Sequence, residues 1–269
     1  MHSIIKYLIL GIIQGISEPL PISSSGHVFL FKNLFNTNIF DSLNFEIISN
    51  FGSFIAIFII FWKDIKELVI SFFQFIFNKE TRKQNLVNFR YCIFIIISTI
   101  PVGIIGILFK DKIGDLPMWG LAISFLVTAI ALFIVRNIEG EKEDRNLTIK
   151  EAIIIGMFQA ISIIPGISRS GTVLVACLLC KLKRETALKY TFILYFPVSV
   201  ASMLLGVKDL IHTPNVSSLL LPYSIGLIAA LIVTYFSYKW LSNIVKKGNL
   251  WKFSIYCFLL AIFIFIYFR

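Results

Sequence analysis

GIIQGISEPLPISSSG, residues 11–26, returns 145 positions later as GMFQAISIIPGISRSG, residues 156–171. Eight of the sixteen aligned positions are identical: Gly11/Gly156, Gln14/Gln159, Ile16/Ile161, Ser17/Ser162, Ile22/Ile167, Ser23/Ser168, Ser25/Ser170 and Gly26/Gly171. The same ungapped offset pairs Phe51 with Phe196, Ala56 with Ala201, and Lys63-Asp64-Ile65 with Lys208-Asp209-Leu210. An offset held this far along the chain makes it two related halves. Each copy breaks an apolar run with Pro, Ser and Gly, and each sets polar side chains where lipid is expected. Matching interruptions in two hydrophobic halves point to a site built at the repeat interface.

The surroundings are apolar. Hydrophobic residues make up 57% of the chain and charged residues 15%, and the mean hydropathy is +0.85. That excludes an ordinary soluble domain. Runs long enough to span a bilayer, which takes about 20 residues, centre on 43–62, 89–109, 117–136, 186–206, 219–240 and 250–268. The repeated stretches, 4–35 and 149–180, are each broken near the middle. Non-helical backbone at membrane depth is tolerated only where protein or a water-filled cavity satisfies it. The fold expected is therefore an all-α polytopic membrane protein, an inverted repeat of six transmembrane helices plus two re-entrant helical hairpins. It forms one integral membrane domain, 1–269, with halves 1–138 and 146–269 joined by the polar linker 139–145, EGEKEDR.

Basic residues test that topology. Two hairpins that do not cross, each followed by three spans, invert the second half relative to the first. The segments 63–90, 136–150, 181–189 and 239–252 then share one side and carry 18 Lys and Arg. The other side carries Lys6, Lys32, Lys110, Lys112, Lys208 and Arg269. This is a positive-inside bias. The net charge of +10 is thus mostly a topology signal, with added attraction to anionic lipid, and calls for no nucleic acid. The N-terminus has neither a basic start nor a small-residue cleavage site, so it is expected to be retained. Cys92, Cys177, Cys180 and Cys257 lie in apolar stretches, and the CxxC at 177–180 has too few companion ligands for a metal site. Trp62, Trp119, Trp240 and Trp251 sit at span ends as interfacial anchors.

The broken segments carry the chemistry. The first offers Gln14, Ser17, Glu18, Ser23, Ser24, Ser25 and His27; Gln14 and Glu18, four apart, share a helix face. The second offers Ser162, Ser168, Arg169, Ser170 and Thr172. A Gly-flanked turn opening a helix gathers N–H groups and the positive end of the dipole, a ready anion site. Arg169 adds a planar fork suited to phosphate oxygens. If the halves bring both turns together, the pocket suits a phosphate ester or anhydride. Simpler roles compete. Ser17 and Ser162 are expected to bond backbone, as serines in membrane helices do. Arg169 could merely pair with Glu18, although ionisable groups inside a membrane are usually functional. His2 and His212 lie outside the motifs, and Glu46, heading a span, is ambiguous.

QGISEPLPISSSGH, followed later by PGISRSG, resembles the undecaprenyl-pyrophosphate phosphatase family of the bacitracin-resistance type. DSLNFEI, FWKDI at 61–65, STIPVGIIGILF at 98–109 and RETALKYTFILYFP at 184–197 are similar to its other landmarks, so the likeness covers nearly the whole chain. It implies a hydrolase of the bacterial cytoplasmic membrane that removes the terminal phosphate of undecaprenyl (polyprenyl) pyrophosphate. That step recycles the lipid carrier of peptidoglycan synthesis, and the site is expected to open to the extracytoplasmic side. Carried over by residue, Glu18, Ser24, His27 and Arg169 are the catalytic candidates, with Glu18 and Gln14 holding a divalent cation, Mg²⁺ or Ca²⁺. Ser23, Ser25 and Gly26 of the first turn would bind substrate together with Gly166, Ser168, Ser170, Gly171 and Thr172 of the second. The chain departs from the family pattern at Gln14, commonly Glu, at Pro19, commonly Phe, and at Val173, where a threonine is usual. The implied partners are the lipid substrate, membrane lipids and, as an open option, a second copy forming a homodimer.

Several alternatives stay open at this stage. The nucleophile is Ser24, His27 or water; with Ser24 attacking, the base is His27 or Glu18. Inverted repeats with broken helices are also the architecture of transporters, so flipping the lipid phosphate is the rival function. A phosphatase of the soluble-active-site type also shares an SGH turn, but no KxxxxxxRP stretch precedes SSSGH here.

Overall fold

The computed structural model describes residues 2–35, 43–109, 116–211 and 216–268. Lys110, Lys112, Arg269 and His212 lie outside these residues. Those described form ten α-helices, one 3₁₀ turn (Asp144–Asn146) and a single isolated β-bridge. The helices are α1 (His2–Ser17), α2 (Ser24–Phe35), α3 (Leu43–Phe77), α4 (Arg82–Phe109), α5 (Met118–Val135), α6 (Ile149–Ile161), α7 (Arg169–Leu179), α8 (Arg184–Ile211), α9 (Val216–Lys246) and α10 (Trp251–Tyr267). Five of them, α3, α4, α5, α8 and α9, are long and apolar enough to cross a bilayer. The sixth expected span, 250–268, is the apolar α10 of 17 residues, at the short end of the crossing range.

Both repeated stretches are helix–turn–helix, broken where Pro, Ser and Gly predict. Pro19 and Pro21 cannot donate to a continuing helix, and α1 stops at Ser17. Pro165 and Gly166 follow α6, and Gly166 takes φ +90, a left-handed conformation open to glycine. The second stretch starts cleanly because Thr148 and Glu151 form a capping box: Thr148 Oγ1 accepts from the Glu151 amide and Glu151 Oε2 accepts from the Thr148 amide.

The segment 63–90, expected as a loop, is mostly helix. α3 runs on to Phe77 and α4 begins at Arg82. LVISFFQFIF at 68–77 is apolar, so the helix continues past the charges at Lys63–Glu67.

Packing crosses between the halves. α1 lies chiefly on α9, and α6 chiefly on α4. Both approaches are close: a Cβ on Gly11 would fall 2.2 Å from the Gly226 carbonyl oxygen, and one on Gly156 would fall 2.7 Å from that of Ser98. One identical position of the repeat, Gly11/Gly156, is thus in both copies the contact point that lets backbones touch. α10 packs on α5, and α3 packs on both α9 and α4.

The basic segments gather at one end. Lys189 of α8 bridges Asp64 of α3 and Asp144 of the linker; Arg90 of α4 donates to the Leu147 carbonyl; Lys246 pairs with Glu185. The linker is pinned rather than loose. Its Glu141 and Lys142 amides donate to the Lys181 carbonyl, and the Lys183 amide donates back to Lys142. Trp62, Trp119, Trp240 and Trp251 are all exposed, as anchors at a bilayer edge require.

Candidate active site

The two turns start their second helices in the same way. Ser23 caps α2, its Oγ accepting from the Gly26 amide at 3.2 Å. Ser168 caps α7, its Oγ accepting from the Gly171 amide at 3.1 Å. In each turn the capping hydroxyl also meets the hydroxyl two residues on: Ser23 with Ser25 at 3.4 Å, Ser168 with Ser170 at 3.2 Å. The first helical position is then Ser24 in one copy and Arg169 in the other, equivalent under the 145-residue offset.

The turns interlock through their glycines. A Cβ on Gly26 would lie 2.8 Å from the Gly166 Cα, and one on Gly171 would lie 3.3 Å from the Pro21 Cβ. Ser170 Oγ donates to the Leu20 carbonyl at 3.1 Å and completes the join. Gly26, Gly166 and Gly171 therefore permit close approach and do not line the cavity.

Glu18 receives both helix starts. Ser24 Oγ donates to Glu18 Oε2 at 2.5 Å, and Arg169 Nη2 pairs with Glu18 Oε1. Gln14 Nε2 also donates to Glu18 Oε2, at 2.9 Å, and to Asn50 Oδ1 at 2.6 Å. The guanidinium carbon of Arg169 lies 4.5 Å from the centre of the Tyr195 ring, a stacking that favours a delocalised cation. The carboxylate is 5% exposed and its arginine 29%, so charge is compensated in place and the guanidinium keeps a face to open space.

That space is a cavity of about 620 Å³. Ser17, Glu18, Ser23, Ser24, Ser25, Ser162, Ser168, Arg169 and Ser170 form its polar wall, with Glu46, Asn50, Thr99 and Ser202; Val102, Gly103, Gly106, Ile107, Ile163, Ile167, Val198 and Ala201 form the apolar one. A polar end against an apolar slot matches a ligand with a charged head and a hydrocarbon tail. Ser17 and Ser162 do bond backbone carbonyls, of Ile13 and Gln159, as expected, yet both also reach the cavity.

Two predicted residues turn away. Thr172 Oγ1 donates to the Arg169 carbonyl at 3.0 Å and does not line the cavity. His27 is buried outside it: Nδ1 meets the Ser23 carbonyl at 2.7 Å and Nε2 meets the Tyr256 hydroxyl at 2.7 Å. Asn50, Tyr195 and Tyr256 escaped the sequence reading. Asn50 alone carried a signal, being an amide within a span.

Glu18 and Glu46, the Asn50 amide and several hydroxyls line one cavity, an all-oxygen set suited to a hard divalent cation. Among the described residues no group of three or more His, Cys, Asp and Glu forms, so an ion there would keep waters and use substrate oxygens, as Mg²⁺ does. Gln14 presents its amide nitrogen, not its oxygen, to Glu18. The four cysteines are free thiols.

Residues 7–263 match the family described as bacitracin resistance protein BacA. Undecaprenyl-diphosphatase 1 of Bacillus licheniformis is 42% identical over 267 residues, covering 98% of each chain. Undecaprenyl-diphosphatase of Oceanobacillus iheyensis is 41% identical over 269 residues, covering 98% of this chain and 97% of its own. Undecaprenyl-diphosphatase 1 of Bacillus cereus is 43% identical over 264 residues, with 97% and 96% covered. With nearly its whole length matched, the chain belongs to the bacitracin resistance protein BacA family.

Proposed function

We infer that the protein is a multi-pass membrane hydrolase that removes the terminal phosphate of undecaprenyl pyrophosphate to give the monophosphate. The family and the names of its relatives support the activity. One observation carries the reading of the site: a hydroxyl from one turn and a guanidinium from the other meet on Glu18 at the wall of a cavity with a polar end and an apolar slot.

Ser24 is the nucleophile in this reading. Its proton passes to Glu18 Oε2 as the Ser24 Oγ–P bond forms and goes on to the bridging oxygen as that P–O bond breaks, releasing the prenyl monophosphate. Water then attacks the phosphoserine phosphorus; Glu18 takes the water's proton and returns it to Ser24 Oγ as the Oγ–P bond breaks, releasing inorganic phosphate. Arg169 leans on the non-bridging oxygens where charge gathers. Ser23, Ser25, Ser168 and Ser170 offer hydroxyls around them, and Gln14 holds the Glu18 carboxylate in register. A divalent cation held by Glu18 and Glu46 would neutralise charge on the pyrophosphate. The first isoprene units lie along Val102, Gly103, Gly106 and Ile107, and the rest passes between helices into lipid.

The finer architecture belongs to the same proposal. The halves 1–138 and 146–269 are inverted repeats, and 4–35 and 149–180 are re-entrant hairpins. The equivalent serine caps, the Gly26–Gly166 and Gly171–Pro21 contacts, and the matched pairing of α1 with α9 and α6 with α4 all support this. The basic end faces the cytoplasm of a bacterial inner membrane, and the site opens to the opposite side.

Phosphate release from long-chain polyprenyl pyrophosphate by purified protein in detergent, with and without EDTA, tests the assignment beside Ser24→Ala. Release that needs a divalent ion and Ser24 is expected. Folded wild type that releases none would sink the hydrolase and leave lipid flipping, measured in sealed vesicles, as the activity.

A further inference from the structure

Ser23 holds a backbone conformation that its side chain does not favour. Its φ is 68, in the left-handed region where residues bearing a Cβ are strained. The strain serves a purpose: the next residue, Ser24, is thereby turned to place Oγ 2.5 Å from Glu18. Something must hold Ser23 there, and His27 does. The Ser23 carbonyl accepts from the His27 amide at 3.2 Å and also meets His27 Nδ1 at 2.7 Å.

A carbonyl can only accept, so Nδ1 carries the proton and Nε2 is left an acceptor. The ring is buried between Phe125, edge-on at 5.4 Å, and the near-parallel ring of Tyr256, 5.7 Å away. An unmet acceptor here would be costly. Tyr256 supplies the donor, its hydroxyl 2.7 Å from Nε2. Both nitrogens are engaged and the ring lies outside the cavity wall, so His27 faces the turn and the last helix. α10 contributes no residue to the cavity wall, yet Tyr256 ties it to the first turn across 229 positions of sequence.

We propose that Tyr256 is a positioning residue for hydrolysis: through its hydroxyl it fixes the tautomer and tilt of His27, which holds the Ser23 backbone that aims Ser24 at Glu18. His27 is thus a positioning residue as well, neither base nor nucleophile. The proposal rests on the hydrolase reading.

Phosphate release is measured for wild type, Tyr256→Phe, His27→Asn, His27→Ala and the Tyr256→Phe/His27→Asn double variant, each monodisperse in detergent with a recorded melting temperature. Asparagine keeps an amide donor near the place of Nδ1 and removes Nε2. Removing the tyrosine hydroxyl is expected to lower kcat about fivefold, the worth of one hydrogen bond, with KM unchanged. His27→Ala is expected to lower kcat about a hundredfold through misplacement of Ser24. His27→Asn recovers most of that loss, and adding Tyr256→Phe to it costs nothing more, because the hydroxyl acts only through the imidazole. An active wild type with Tyr256→Phe at full kcat would overturn the proposal. So would His27→Asn as inert as His27→Ala in folded protein, or a Tyr256→Phe loss that persists in the His27→Asn background.

Discussion

Glu18 is the point on which three neighbours converge, and two of them answer to different substitutions. Ser24→Ala removes the proposed nucleophile while sparing the Ser23 cap, so kcat should fall by roughly a thousandfold in the phosphate-release assay, with little change in melting temperature. Arg169→Lys keeps the charge but loses the planar fork and the stacking on Tyr195. Its kcat/KM is expected to fall by about two orders of magnitude, the scale of losing one oriented donor to a developing oxyanion. Much of this was legible in the sequence. The offset alone makes Ser24 and Arg169 equivalent, and Glu18 stood out as a carboxylate among apolar residues. Their meeting on one carboxylate was not legible, because no spacing along a chain encodes a contact between residues 151 positions apart. The surroundings of His27 were not legible either. A histidine beside SSSG reads as chemistry, and the partners it meets here, a backbone carbonyl and a tyrosine of the last helix, leave no motif.

In the proposed reading, the turns and α4 select which lipids enter. A Cβ added at Gly103 meets nothing within 4 Å, and the residue lines the cavity. Gly103→Phe should therefore fold normally and fill the slot assigned to the prenyl chain. The expected outcome is a kcat/KM for a long-chain pyrophosphate at least tenfold lower, with a short-chain pyrophosphate, which needs less of the slot, losing less; equal losses on both would remove α4 from the chain's path. Gly166 is the opposite case. Its φ of +90 and the 2.7 Å between an added Cβ and Ser124 leave no room, so Gly166→Ala should lower the melting temperature and activity together. At this scale the breaks in 4–35 and 149–180 were readable from Pro, Ser and Gly. The length of α3 was not, because the charges at Lys63–Glu67 suggested an end that the apolar stretch after them overrides.

Across the whole molecule, ion pairs tie the basic end together while glycine contacts tie the apolar interior. Lys189→Met would leave Asp64 and Asp144 facing each other without their shared cation. Lys189 is about one-third exposed, so the loss is expected near 2 kcal/mol, below that of a fully buried pair, and is read as a lower melting temperature in detergent. The pairing of α1 with α9 also sets a clock. About 200 residues separate them, roughly 10 to 40 seconds of synthesis at ordinary ribosomal speed. Until α9 emerges, the first segment waits in the membrane with its glycine face uncovered. A chain stopped before Val216 should lack any hydrolytic activity although every proposed catalytic side chain has been made. The nascent protein is thus chemically silent, and a candidate for membrane quality control, until its ninth helix closes over its first.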